Sequence, residues 1–270
     1  MRRVGTHASQ THIDTSLRCG TPAINTESGH HTDSADNVPS ADGVTQAADG
    51  VVPPADGVTH FKLQFDRAAA PPPWLLNELQ RWRTRLFNAG VVGQDARRYD
   101  GVGFGNLSTR HPGRPGAFII TGTQTGGREV IGAHDFAVVT HVHLARNQVV
   151  AHGGTAPSSE AMTHAVLYQA DPAIDWVFHG HAPTLWRKAE EWRKAEEWHA
   201  AGRMRIASTP ADVGYGTPAM AQAVQEIRRQ QPQLPALIRM GGHEDGIIAF
   251  GCTADSTGQL FEDALADARR

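Results

Sequence analysis

Hydrophobic positions follow two rhythms from residue 61 onward. In WLLNELQRWRTRLFNAG, residues Trp74, Leu75, Leu79, Trp82 and Leu86 recur at helical spacing and Gly90 follows as a stop, which predicts an amphipathic helix. A glycine-rich turn, Gly101 to Asn106, then leads into a short strand, Leu107–Arg110. AFIITGT (117–123) reads as a buried strand running into a second polar, glycine-rich loop. FAVVTHVHL (136–144) alternates as a strand, and NQVVAHGG follows a short turn as the next. PSSEAMTHAVLYQAD opens a helix, IDWVFHGH is a strand and TPAMAQAVQEIRRQQ is a helix. PALIRMGGHEDGIIAFG reads as two strands about a tight turn, and 259–270 as a last helix. Strands mostly follow strands, with helices interspersed irregularly. The expectation is one α/β domain, residues 61–270, with a mixed, largely antiparallel sheet between helices.

Residues 1–60 lack this patterning. They carry seven acids against three arginines, while the rest of the chain is nearly balanced, with 22 bases and 21 acids. ADGV recurs at Ala41, Ala48 and Ala55, each unit offering one apolar side chain larger than alanine and a glycine. Such a segment cannot bury enough surface to offset its ordering entropy, so it is expected to be a disordered, low-complexity tail. A second repeat, Trp186–Glu191 and Trp192–Glu197, reads WRKAEE twice before Trp198. A six-residue step turns about 240° on a helix, so a solvated helix lengthened by duplication is expected; an aromatic surface for a partner subunit is the alternative.

The formal net charge of −3 provides no basic field, which argues against nucleic acid as partner. No apolar run approaches the roughly 20 residues that cross a bilayer, and the start has no apolar core of a secretory signal. Two cysteines, Cys19 and Cys252, make no disulfide framework. A cytoplasmic location is the expectation.

The fifteen histidines matter through their placement. His179 and His181, two apart on a strand, project from one face with Val177, while Trp176 and Phe178 face the core on the other. Gly180 between them is expected to leave the backbone uncrowded. Two neutral imidazoles so arranged are a common beginning of a zinc site. The helix from about Ser159 to Ala170 rises roughly 18 Å. After the turn at Asp171-Pro172, a strand of about six residues at about 3.3 Å each returns that distance. His179 and His181 therefore come back to the helix N-terminus, where Glu160 stands as a third ligand or a general acid/base. The other pair, His141 and His143, has no carboxylate returned to it and is expected to be a surface pair. His111, His134 and His152 are expected to be solvated, and His164, one turn beyond Glu160, to support the site from behind. PSSE (157–160) is a helix start whose serines leave backbone N–H groups free for an anion. GFGNLS (103–108) and TGTQTGG (121–127) could complete that cradle; neither is a dinucleotide fingerprint or a P-loop.

GNLS (105–108), Thr125-Gly126, PSSE (157–160), HGH (179–181), YGT (215–217) and MGGHEDG (240–246) occur in this order. With glutamate-to-histidine spacings of 19 and 21, this series resembles the class II aldolase/adducin family over about residues 74–251. The resemblance implies a three-layer α/β/α sandwich, usually tetrameric with the site at a subunit interface. It implies Zn2+, one divalent ion per chain, on His179, His181 and His243, with Glu160 as catalytic acid/base. It also implies an anion held by Asn106, Thr125, Gly126, Ser158 and Ser159. His243 is three residues before Gly246 instead of directly before it, which leaves Glu244 and Asp245 as alternative ligands, and the loop GTQTGG is longer than the family's usual one. The implied activity is an aldolase-type lyase on a small hydroxy-carbonyl or sugar-phosphate substrate, through an enediolate. Dehydratase, epimerase or decarboxylase chemistry on the same site, or a non-catalytic adducin-like scaffold, are the alternatives.

Overall fold

Side chains two apart along a strand face the same way, so a strand covered by helices on both sides must be apolar at odd and even positions alike. In the computed structural model, which describes residues 51–52, 59–194 and 206–270, the sheet strands at 118–121, 176–181 and 246–251 are buried on both faces in this way, whereas those at 62–67 and 148–153, nearer one edge, bury at most every second residue. Ten strands form that sheet: β1 (Val51–Val52), β2 (Lys62–Arg67), β3 (Asn106–Arg110), β4 (Phe118–Thr121), β5 (Phe136–His143), β6 (Gln148–Gly153), β7 (Trp176–His181), β8 (Ala207–Ser208), β9 (Ala236–Arg239) and β10 (Gly246–Gly251). Their order is β1-β2-β6-β5-β4-β3-β7-β10-β9-β8. Only the β2–β6 and β8–β9 pairings are parallel, so the sheet is mixed and largely antiparallel as expected.

One face packs Leu107, Ile119, Val138, Phe178, Leu237, Ile247 and Ala249 against α1 (Asn77–Asn88), α3 (Pro183–Lys194) and α5 (Ala254–Ala268). The other packs Ile120, Val139, Val177, Ile238, Ile248 and Phe250 against α2 (Ala161–Ala170) and α4 (Pro218–Gln230). The architecture is therefore a three-layer α/β/α sandwich. Val177 and Phe178 are both fully buried because each faces its own helical layer, whereas the sequence suggested a core on one side of this strand alone. Burying a phenylalanine such as Phe178 contributes on the order of 2–3 kcal/mol.

Several local expectations change. Trp74 does not join the inward stripe; it lies before α1 and is 69% exposed, and Leu76 takes the buried place. The inward face of α1 is Leu79, Trp82, Arg83 and Leu86, so it includes a charged residue. The last helix begins earlier than residue 259, at Ala254, with the Thr253 side chain accepting from the Ser256 N–H as its cap. The duplicated helix is not solvated all round. Leu185, Ala189 and Trp192 fall at heptad-like spacing and Trp186 flanks them, and both tryptophans pack on the core. Trp186 donates its indole N–H to the Met240 carbonyl at 3.0 Å, beneath the Arg239 guanidinium. The end of the second copy and Trp198 lie outside the described residues, as do Cys19 and all but Val51, Val52, Thr59 and His60 of the span read as a tail. Val51–Val52 pairs antiparallel with β2, so the sheet reaches back before the boundary the sequence suggested at residue 60. Among the described residues no helix is long and apolar enough to cross a membrane.

Candidate metal centre

The β3–β7 register sets Asn106 opposite His179, and the β7–β10 register sets Gly246 opposite His181. The tight turn between β9 and β10, closed by Met240 N–H to the Gly246 carbonyl at 2.8 Å, therefore stands at the end of the HGH strand. His243 sits in that turn. Its Nε2 is 3.1 Å from Nε2 of His181 and 3.2 Å from Nε2 of His179. Of the turn's three candidates, His243 is the one whose ring joins the pair. Glu244 is exposed, and Asp245 turns away to accept from the Tyr99 hydroxyl at 2.5 Å and from Arg98 at 3.2 Å.

Gly180 is needed for a reason opposite to the one expected. Its backbone is crowded: the Val91 carbonyl accepts from the His181 N–H at 2.8 Å and would lie 2.8 Å from any Cβ at position 180. A side chain there would push the strand, and both histidines with it, off this contact.

His179 and His181 are buried and His243 is largely so, and burial pulls each pKa below the ordinary histidine value, to about 4 for His179. His179 Nδ1 is 3.1 Å from the Ile247 carbonyl, which can only accept, so that nitrogen carries the proton and Nε2 presents a lone pair. A single proton cannot satisfy three nitrogens facing one another. Zinc–nitrogen bonds of about 2.05 Å at tetrahedral angles separate such nitrogens by about 3.3 Å, close to the separations found. Three neutral nitrogens with a fourth direction open toward the cavity are a fitting donor set for zinc, and these residues form one cluster with metal-ligand spacing.

The helix–turn–strand return brings Glu160 to the same point. Its Oε1 lies 3.7 Å from His243 Nε2, is buried and has no hydrogen-bond partner. Oε2 accepts from the Thr163 hydroxyl at 2.8 Å, and the Gly216 N–H also donates to the carboxylate. Burial outweighs these bonds and pushes the pKa up to about 7. The carboxylate is thus held by one oxygen and free at the other, in a form that can exchange a proton near neutrality.

A cavity of about 430 Å³ opens in front of this group. Asn106, Thr125, Gly126, Ser158, Ser159, Glu160, His179, His181 and His243 all line it, so the residues that the resemblance marked for metal, acid/base and anion face one space. The Asn106 Oδ1 is buried without a partner. α2 begins one residue after Glu160, and the Ser158, Glu160 and Ala161 N–H groups are engaged by the Thr121 carbonyl, Ser158 Oγ and the Ser158 carbonyl. Those amides are not free for an anion.

His141 and His143 are exposed on β5, stacked at 5.9 Å and apart from the cavity. His111, His134 and His152 also lie away from it. His164 is fully buried, with Nδ1 2.7 Å from the Ser108 hydroxyl. Three aromatic rings to which the motifs assign no role wall the site. Tyr99 meets His181 edge-on at 4.4 Å, Phe104 stacks on the same ring, and Tyr215 stacks on His243 at 4.6 Å. Nothing in the sequence around Tyr99 signals this, since its place depends on the bond to Asp245, 146 positions away.

The sequence profile of the class II aldolase and adducin N-terminal domain matches residues 94–264. An L-fuculose 1-phosphate aldolase shares the fold with a TM-score of 0.55 at 19% identity, covering 74% of this chain and 85% of that one. A sugar-phosphate aldolase from Thermotoga maritima aligns with a TM-score of 0.57 at 17% identity, covering 73% and 93%. L-fuculose-1-phosphate aldolase from Thermus thermophilus aligns at 0.51 and 16%, covering 73% and 92%. No curated protein matches in sequence.

Proposed function

Because this chain belongs to the class II aldolase/adducin family, we propose that it is a metal-dependent lyase of aldolase type, acting on a small hydroxy-carbonyl or sugar-phosphate substrate. The observation that carries the proposal is the meeting of three buried imidazole nitrogens with an unpartnered carboxylate oxygen at one end of a cavity. His179, His181 and His243 hold one divalent ion, zinc by the nature of the donors. When bound, that ion supplies Lewis acidity to a carbonyl oxygen.

The rest falls to the chain's own side chains. Glu160, raised to about 7, takes or returns the proton that moves as the bond beside the carbonyl breaks. The Thr163 hydroxyl fixes one of its oxygens and leaves the other, without a partner in the protein, for the substrate. The rings of Tyr99, Phe104 and Tyr215 pack on the ligand histidines and keep water from that side. Asn106, Thr125, Gly126, Ser158 and Ser159 bind the polar end of the substrate, chiefly through side chains in the case of the serines. The protein works as a soluble cytoplasmic homotetramer.

Purified protein should carry about one zinc per chain by elemental analysis. It should cleave at least one member of a panel of ketose 1-phosphates and free hydroxy-ketones to an aldehyde and a shorter ketone. Protein that holds no divalent ion after purification in zinc-supplemented buffer would overturn the assignment. Zinc-loaded protein with no cleavage, dehydration, epimerisation or decarboxylation across the panel would favour a scaffold instead.

A further inference from the structure

Arginines are seldom fully buried, and when they are, a carboxylate normally accompanies them. Arg83, on the inward face of α1, is 2% exposed. Among the described residues its guanidinium meets no carboxylate at ion-pair distance. The acid whose field reaches it, Asp135, is ion-paired to Arg128. Its partners are main-chain carbonyls. One terminal nitrogen donates to the Thr125 and Gly126 carbonyls, both at 3.0 Å, and the other to the Glu129 carbonyl at 2.7 Å. Its flat face covers the Phe87 ring at 4.6 Å.

Thr125 and Gly126 line the cavity together with Gly122, Thr123 and Gln124 of the same polar loop. A guanidinium that takes both of their carbonyls from behind pins the loop from the side away from the cavity. The loop has little freedom otherwise. A Cβ on Gly126 would lie 2.7 Å from the Gly93 carbonyl oxygen and from Phe104 N, and the Thr125 hydroxyl donates to the Gly122 carbonyl at 2.8 Å. A buried guanidinium stays protonated, because arginine does not release its proton inside proteins. A positive charge thus stands behind the Thr125–Gly126 peptides, met by main-chain carbonyls and the field of Asp135 but by no carboxylate at ion-pair distance among the described residues.

We propose that Arg83 is a positioning residue for the substrate's anionic end: it fixes the Thr125–Gly126 loop through its carbonyls and provides a buried cation behind that wall. The inference rests on the reading of the cavity as a substrate site whose Thr125–Gly126 loop holds an anion, which the family resemblance implies; what it adds is the role of Arg83. Among the described residues no lysine or arginine lines the cavity itself, so besides the metal it is this charge from behind that would favour the anion.

The test uses the full-length, zinc-loaded protein with inorganic phosphate and malonate as probes, followed by calorimetry and thermal shift. The wild type should bind at least one of the two. Arg83→Met should keep its zinc and weaken that binding tenfold or more, and raise KM for any cleaved substrate far more than it lowers kcat. Arg83→Lys, which keeps the charge but not the fork onto two carbonyls, should fall between. Gln80→Ala removes the neighbouring α1 tether, Gln80 Nε2 to the Ile131 carbonyl at 2.9 Å, without changing charge, and should leave anion binding within twofold. Loss of zinc from the wild type would instead be a failure of the metal reading, since Arg83 does not touch the histidines. If neither Arg83 variant folds, wild-type amide exchange decides, because phosphate or malonate must slow exchange in residues 122–128. A wild type that binds neither anion, protection elsewhere, or Arg83→Met binding as tightly as the wild type overturns the proposal.

Discussion

Glu160→Gln should stabilise the metal-free protein, and by an amount that depends on pH. The carboxyl is fully buried and its pKa rises from 4.5 to about 7 on folding, so between those values the folded state holds a proton that the unfolded state has lost. The sign follows: the contribution of the protonated form is complete below 4.5 and is lost as pH rises through 7. At about 1.4 kcal/mol per pH unit across that window, the ionised carboxylate costs roughly 3 kcal/mol by about pH 8 and close to nothing by about pH 4.5. Glutamine has the same shape, still accepts from the Thr163 hydroxyl, and never ionises. Urea unfolding of EDTA-treated wild type and variant at several pH values should therefore give curves that coincide near pH 4.5 and separate in favour of the variant, by about 2–3 kcal/mol, near pH 8. Adding zinc should close the gap, since a cation beside the carboxylate favours its charged form. A constant difference across pH, or a variant less stable than the wild type near pH 8 without metal, would refute the argument from burial.

His179→Ala or His181→Ala should drop zinc content by an order of magnitude or more on elemental analysis, whereas His141→Ala and His143→Ala should leave it unchanged; the reverse pattern would sink the ligand assignment. Gly180→Ala places a Cβ against the Val91 carbonyl, so it should cost about 1–3 kcal/mol in denaturant unfolding and lower zinc affinity; an unchanged midpoint would mean that the strand shifts freely. Deleting residues 1–45 should leave the melting temperature and zinc content where they were. Deletion through residue 60 also removes the strand paired with Lys62–Arg67 and should lower the melting point by a few degrees, which a thermal scan of both truncations would check.

What the sequence determined by itself was whatever depends on short range and strict period. The short apolar runs at 118–121 and 246–251 and the alternating run at 136–143 read as strands, and HGH on a strand puts both imidazoles on one face. Helix rise and strand rise together brought Glu160 back to His179 and His181, because the turn between them is too short for any other return. Arg83 also left a signal, a charge at the inward spacing of Leu79, Trp82 and Leu86, but pattern alone does not say what a buried charge faces.

Tertiary structure decided the rest. That Val177 and Phe178 are equally buried follows from helices on both sheet faces, a fact of layer packing that no local window contains. That His243 turns inward while Asp245 turns to Tyr99 follows from pairing across the β7–β10 register. The Gly180 contact with Val91, the exposure of Trp74 and the engagement of the Ser158 amide by Thr121 have the same origin. Each depends on which distant backbone arrives within hydrogen-bond reach, and only the closed sheet fixes that.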